Sequence, residues 1–320
     1  MKVLVTGATG FVGSAVVRAL KRHGHDVLAL VRNSTKASNI ARQGVQAAVG
    51  DMRQPNSYEP LVRQVDAVIH AAQSPLRGRW SPAAIAEMQQ ADATMTRTLA
   101  WACLAQDKPL VYSSGGLTHC CDGDAWINEC SPANPCLIAA GHASLAEWLE
   151  KMHDRRGLRS VVISPGLIYG PGGFLQRTVE MLLCRRYCHP GNPGNFWSLV
   201  HLDDVGEAYV LGLERGQPGE TYFISDDQPL RREEAVDCIS NSLGLCRVAR
   251  MPGWLAKIAL GSPMVEAIAS PVRLRNKKAR RELGWQPRFG CFQSALPGLL
   301  QEILGRMPAI RSTIAPLHLA

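Results

Sequence analysis

Long apolar runs are absent from this 320-residue chain. No stretch approaches the ~18 apolar residues that a membrane-spanning helix requires, so no membrane partner is expected. The opening "MKVLVTG" meets a glycine too early to be a secretory leader, and the expected location is the cytoplasm. No Cys-x-x-Cys pair occurs among the ten cysteines, which are spread without a regular framework. That argues against a zinc site, even where His119, Cys120, Cys121, Cys130 and Cys136 gather, and no metal is expected. In a reducing compartment such cysteines are mostly small buried apolar residues. No long Lys/Arg block accompanies the net charge of +8, so a basic surface is expected and no nucleic-acid partner. Internal repeats and low-complexity segments are missing too.

What is present is ordinary globular material, 46% hydrophobic and 19% charged, long enough for one large domain and a smaller lobe. Valine-rich "KVLVT" (2–6) reads as a strand buried on both faces. Further strands are expected at 26–32, 45–51, 65–72, 109–114 and 159–166, with helical stretches between, notably at about 82–106 and 138–155. This alternation predicts an α/β fold, a doubly wound parallel sheet with right-handed crossovers. Residues 1–170 are expected to form the domain built on this sheet, with strand contributions from about 196–226. After about residue 170 the rhythm breaks, and 171–320 are expected to form mainly a smaller C-terminal substrate lobe. In that half "VHLDDVGEAYVLGL" reads as a strand tip followed by an Asp-capped helix. "ETYFIS" (220–225) reads as a strand, and "KKARRELGWQPR" as a short basic helix closed by Gly284.

Gly7, Gly10 and Gly13 form a G-x-x-G-x-x-G loop between the first strand and its helix. Such a loop turns tightly, lets backbone N–H groups approach a diphosphate and places that charge at a helix N-terminus. Thr9, Phe11 and Val12 belong to the same predicted cradle. A carboxylate for the ribose 2′-hydroxyl is lacking at the end of the second strand, where "ALVRN" presents Val31 and then Arg32. That pattern predicts NADP(H) in preference to NAD(H), with Arg32 beside the 2′-phosphate. Asp51, ending the third strand with Met52 after it, is placed at the adenine.

Together "VTGATGFVG" (5–13), "GDMRQP" (50–55), "VIHAA" (68–72), "LVYSS" (110–114), "SPGLIYGPGG" (164–173), "LVHLDDVGEAY" (199–209) and "KKARRELGWQP" (277–287) resemble the extended, epimerase/dehydratase-like short-chain dehydrogenase/reductase superfamily. The resemblance spans nearly the whole chain. It implies a Rossmann-like domain with a C-terminal substrate lobe, in which Ala71, Ala72, Pro165 and Gly166 line the nicotinamide side of the cofactor pocket, and it suggests a homodimer. Ser113 is also expected among the cofactor contacts. It also implies a catalytic Ser or Thr after the fifth strand and a Tyr-x-x-x-Lys on the following helix. Here those positions fall on Gly115, Ala139 and Ala143. Tyr112 lies within the strand and Lys151 beyond the helix middle, so neither restores the pair.

The expected replacement proton donor is His142, between the two vacated helix positions, with Ser114 donating to the substrate oxygen. Substrate contacts are expected from Gln73, Arg77, Trp126, Tyr169, Phe174 and Trp197, a set suited to an apolar or aromatic small molecule. The reading is an NADP(H)-dependent oxidoreductase with a non-standard proton donor. Loss of the usual groups leaves two alternatives, a non-redox isomerase, cyclase or lyase on the same scaffold, or a protein that senses NADP(H).

Overall fold

The structure is a computed structural model, and it describes residues 1–76, 80–121 and 123–307. The first half alternates β1 (Lys2–Thr6), α1 (Phe11–Arg22), β2 (Asp26–Val31), α2 (Ser34–Ala41), β3 (Gln46–Val49), α3 (Glu59–Val62), β4 (Ala67–His70), α4 (Pro82–Ala105), β5 (Leu110–Ser113), α5 (Ala140–Arg156) and β6 (Ser160–Pro165). The second half is more broken. It runs β7 (Leu167–Tyr169), α6 (Gly173–Leu183), β8 (His189–Pro190), β9 (Phe196–Trp197), β10 (Leu199–His201), α7 (Leu202–Arg215), β11 (Thr221–Ile224), β12 (Leu230–Arg231), α8 (Arg232–Ser242), β13 (Arg250–Met251), α9 (Gly253–Leu260), α10 (Ser262–Ala269) and α11 (Phe292–Gly305).

Seven parallel strands make the central sheet, in the order β11-β6-β5-β4-β1-β2-β3. The order reverses between β1 and β4, and the crevice there is where open α/β sheets bind ligands. Strands β4, β5 and β6 are buried along their whole length, as a sheet covered on both faces demands. One apolar cluster packs α1 and α7 onto one face through Val16, Leu20, Val205 and Tyr209. A second packs α4 and α5 onto the other through Leu99, Cys103, Leu145 and Leu149.

Within the predicted strand material of 196–226, only Thr221–Ile224 joins the main sheet, as its edge strand. Phe196–Trp197 and Leu199–His201 pair instead with β12 and β7. A third cluster fills the C-terminal lobe with Tyr169, Trp197, Leu230, Phe292 and Leu300. Helix α7 is not capped by an aspartate. His201 is its N-cap, accepting from the Asp203 backbone N–H at 3.2 Å, while Asp203 and Asp204 occupy the first turn. An imidazole nitrogen satisfies the exposed donor, which frees the carboxylates for other partners. Asp203 pairs with Arg18 of α1, and Asp204 accepts the backbone N–H groups of Arg288 and Phe289.

The predicted basic helix is a single wide turn, Ala279–Leu283, ended by Gly284 in the left-handed conformation. Trp285, which follows, is fully buried and donates its indole N–H to the Asp204 carbonyl at 2.9 Å. Trp285→Ala is expected to cost about 3–5 kcal/mol of stability, read as a lower midpoint in urea unfolding. A loss below ~1 kcal/mol would show that the indole does not tie this turn to the core.

Candidate functional site

The glycine loop is built for close approach. Gly7 has φ +71°, and a Cβ there would stand 2.6 Å from the Ala71 carbonyl oxygen, so the β1 and β4 ends meet backbone to backbone. A Cβ on Gly13 would lie 2.1 Å from the Gly7 oxygen, so α1 packs directly on the loop. Gly10 is the N-cap of α1. No side chain caps this helix and no acid occupies its first turn. Its terminal N–H groups are therefore available to an anion, and the partial positive end of the helix is not neutralised. These features fit the diphosphate of a dinucleotide. Thr9 is exposed at the loop, and the Phe11 ring lies 3.0 Å from where a Cβ on Gly173 would be. Val12 turns partly into the core.

At the far end of the crevice Arg32 is exposed after β2. Asp51 binds Arg53 through both oxygens, at 3.3 and 2.8 Å. Those bonds to Arg53 hold its carboxyl below the usual range, with Arg32 adding a smaller pull. Met52 is buried with Leu30 and Tyr58, so its side chain is a core residue and only its backbone can face a ligand. The structure thus brings two guanidiniums around one carboxylate where the adenosine end was expected.

The opposite end rests on a histidine that sequence reasoning missed. His70, buried at the tip of β4, sits 2.7 Å from Thr6 Oγ1 and 3.1 Å from Thr96 Oγ1. Thr6 in turn accepts the Ala72 N–H at 3.3 Å, so the chain Thr96–His70–Thr6 fixes the Ala71–Ala72 turn. Burial, with His142 nearby, pushes the His70 pKa down to about 4 and keeps this ring neutral.

His142 stands in the first turn of α5 with its Nδ1 2.7 Å from the Tyr112 hydroxyl and its Nε2 3.4 Å from the Gln73 amide nitrogen. Tyr112, set aside from sequence because it lies within a strand, therefore does reach the helix; its side chain crosses from β5 to α5. A Gln73 N–H donated to Nε2 leaves the ring proton on Nδ1, where it is donated to the Tyr112 oxygen. Burial lowers the His142 pKa and raises that of Tyr112, the latter helped by the charge of Asp92. Asp92, on α4, accepts the Ser74 backbone N–H at 2.6 Å and pins the segment that carries Gln73. Lys151 is directed elsewhere, pairing with Glu147 on the exposed side of α5.

Ser113 and Ser114 diverge in role. The Ser113 hydroxyl accepts from Tyr209 at 2.5 Å, which turns it toward α7. Ser114 has no side-chain hydrogen bond among the described residues, leaving its hydroxyl free for a ligand oxygen. Gly115 is extended, and a Cβ there would meet nothing within 4 Å, so the space beside it is open. Pro165 ends β6, and Gly166 donates to the Ile224 carbonyl at 2.9 Å, placing both at the same sheet edge as Ser114.

The proposed substrate residues do not converge. Gln73 is beside His142. Tyr169 is fully buried and donates to Asp226 at 2.8 Å; Trp197 is buried, donates to the Ile268 carbonyl at 3.3 Å and packs edge-on against Phe174. These three are core residues of the C-terminal lobe, because broad rings fill its interior. Arg77 lies outside the described residues. Trp126 alone lines an open cavity of about 470 Å³, with Asp226, Asp227, Leu274, Arg275, Asn276, Lys277 and Arg280. Asp226 there has its pKa pushed up to about 8, chiefly by burial.

Comparison with known proteins agrees with this architecture. The family model described as the NAD dependent epimerase/dehydratase family matches residues 3–225. The 3-diazoavenalumate denitrifying reductase of a Streptomyces species is 28% identical, covering 92% of this chain and 99% of its own. The 2-alkyl-3-oxoalkanoate reductase of Stenotrophomonas maltophilia is also 28% identical, over 87% of this chain and 86% of its own. In fold, the chain resembles dTDP-glucose 4,6-dehydratase from Streptomyces venezuelae with a TM-score of 0.82 at 24% identity, covering 97% of this chain and 98% of that one. Among the described residues no helix is long and apolar enough to cross a membrane. The chain belongs to the NAD dependent epimerase/dehydratase family of the extended short-chain dehydrogenase/reductase superfamily, and is an NAD(P)-dependent oxidoreductase-like enzyme.

Proposed function

We propose that this enzyme is an NADP(H)-preferring reductase of a small apolar or aromatic ketone, with His142 supplying the proton. One observation carries the reading: the His142 ring is held by Tyr112 at 2.7 Å on the helix that bears Ala143 and is preceded by Ala139 at its N-cap. Relatives named as reductases of oxo compounds support the substrate class.

The nicotinamide cofactor, when bound, supplies the hydride. The chain's own residues do the rest. Gly7, Gly10 and Gly13 with the α1 N-terminus hold the diphosphate. Ala71, Ala72, Pro165 and Gly166 border the nicotinamide end, and Ser114 donates to the carbonyl oxygen. In the protonated ring the transferable proton is on Nε2, where the Gln73 N–H no longer donates and the Gln73 amide turns its oxygen to the ring or gives way to substrate. Tyr112 fixes the ring through Nδ1. A small cavity beside Asp92 and His142, roughly 10 Å³ and about the room of one water, supports a route for reprotonation between α4 and α5.

Stoichiometric oxidation of NADPH with alkyl or aryl ketones tests this proposal; failure to bind either nicotinamide cofactor would overturn it. Arg32 supports the NADP(H) preference. A charged hydrogen bond to a 2′-phosphate is worth about 1.5–3 kcal/mol, or roughly ten- to a hundredfold. Arg32→Ser is expected to raise KM for NADPH by that factor and leave KM for NADH nearly unchanged. Equal changes for both cofactors would remove Arg32 from the phosphate.

A further inference from the structure

All ten cysteines are free in the structure, and two of them, Cys120 and Cys136, meet at one backbone carbonyl. The Cys120 thiol donates to the Leu117 carbonyl at 3.5 Å, the same oxygen that accepts the Cys136 backbone N–H. Their segments run side by side. Asn134 donates to the Thr118 carbonyl at 3.2 Å, Cys120 to the Asn134 carbonyl at 2.9 Å and Cys136 to the Leu117 carbonyl at 3.3 Å. The neighbouring Cys121 points away, with its sulfur on the Pro271 carbonyl at 3.4 Å.

We propose that Cys120 and Cys136 are an oxidative modification site, closing as a reversible disulfide across the base of the 120–136 loop by exchange with a low-molecular-weight disulfide such as oxidised glutathione. The two side chains have unequal parts. Cys120 is partly exposed, and the Cys136 thiol, with Ser270, stabilises its thiolate against burial and the Glu266 charge. Cys136 is 4% exposed and keeps its proton. Cys120 is therefore the attacking sulfur. Its thiolate attacks one sulfur of oxidised glutathione, whose sulfur–sulfur bond breaks and releases one glutathione thiolate. Cys136 then gives up its proton and attacks the Cys120 sulfur, expelling the second glutathione. Two electrons pass from the cysteine pair to oxidised glutathione, and two glutathione thiols are formed.

The bond would fasten a loop with several anchors. Asp124 pairs with Arg231 at 2.7 Å, Glu129 accepts the Phe223 N–H of edge strand β11 at 2.9 Å, and Trp126 walls the 470 Å³ cavity. The Leu117 carbonyl, which holds both the Cys120 sulfur and the Cys136 backbone, anchors the two residues at one point of the loop base.

The test equilibrates the full chain with excess oxidised glutathione, blocks remaining thiols by alkylation and maps the peptides by mass. Expected is one crosslink joining Cys120 to Cys136, two hydrogens lighter, reversed by dithiothreitol and retained in Cys121→Ser. Cys136→Ser is expected to stop at a glutathione adduct on Cys120, and Cys120→Ser to give neither product. A lasting adduct on wild-type Cys120, a crosslink through Cys121 or Cys130, or no oxidised product at all would overturn the proposal. The wild-type map decides this even where a variant folds poorly.

Discussion

Replacing His142 by alanine is expected to lower NADPH-dependent ketone reduction by about 10²- to 10⁴-fold, the usual contribution of a positioned general acid. NADPH affinity should change little, because the ring faces Tyr112 and Gln73 and not the diphosphate loop. The pH profile gives the sharper signature. Burial lowers the His142 pKa, so the protonated, donating form is complete only below that lowered value. Reduction should be flat at low pH and fall about tenfold per unit as pH rises through the His142 pKa; oxidation, which needs the neutral ring as base, should show the reverse. In His142→Ala that limb should vanish. Tyr112→Phe removes the partner of Nδ1 but leaves the ring, so it should lower kcat less than His142→Ala and shift the limb. Unchanged turnover in His142→Ala would assign the proton to another group.

Gly13→Ala should remove cofactor binding by more than about a hundredfold, read by NADPH fluorescence titration. The new methyl would sit 2.1 Å from the Gly7 oxygen and 2.7 Å from the Gly7 carbonyl carbon, with backbone and not a flexible side chain in the way. Either α1 retreats or the loop opens, and both take the N–H groups away from the diphosphate. Overpacking of this kind costs about 1–3 kcal/mol, so the variant should fold at reduced stability and fail specifically in binding. Wild-type NADPH affinity in folded Gly13→Ala would mean that the cofactor does not lie in this cradle.

The sheet and its glycine turn were legible because buried parallel strands and close backbone contacts leave strong local marks: apolar runs at β1 and β4, and glycines at 7, 10 and 13. The Tyr112–His142 contact was not. Strand residues alternate faces, and only the tertiary packing of α5 on β5 decides which helix residue meets a strand tyrosine. His70 was hidden for the same reason, since its threonine partners lie at positions 6 and 96. The aromatic residues of the second half misled because a large ring is equally at home in a core or a pocket, and here the lobe's short strands needed Tyr169 and Trp197 as filling. His201 replaced an aspartate as helix cap, a choice invisible while His201, Asp203 and Asp204 stand within four residues of one another.

The packing of α7 against α1 has a consequence for how this polypeptide can be divided. Gly206 approaches so closely that a methyl group on it would stand 2.6 Å from the Ala15 carbonyl oxygen, and Arg18 and Arg22 reach across to Asp203 and Glu207. A fragment ending near residue 170 would lack this covering helix and the seventh strand, leaving the apolar side of α1 wet and the β6 rim unzipped. The nucleotide cradle thus borrows its roof from the far half of the gene product, and excising it alone would yield an aggregating piece instead of a miniature binding protein.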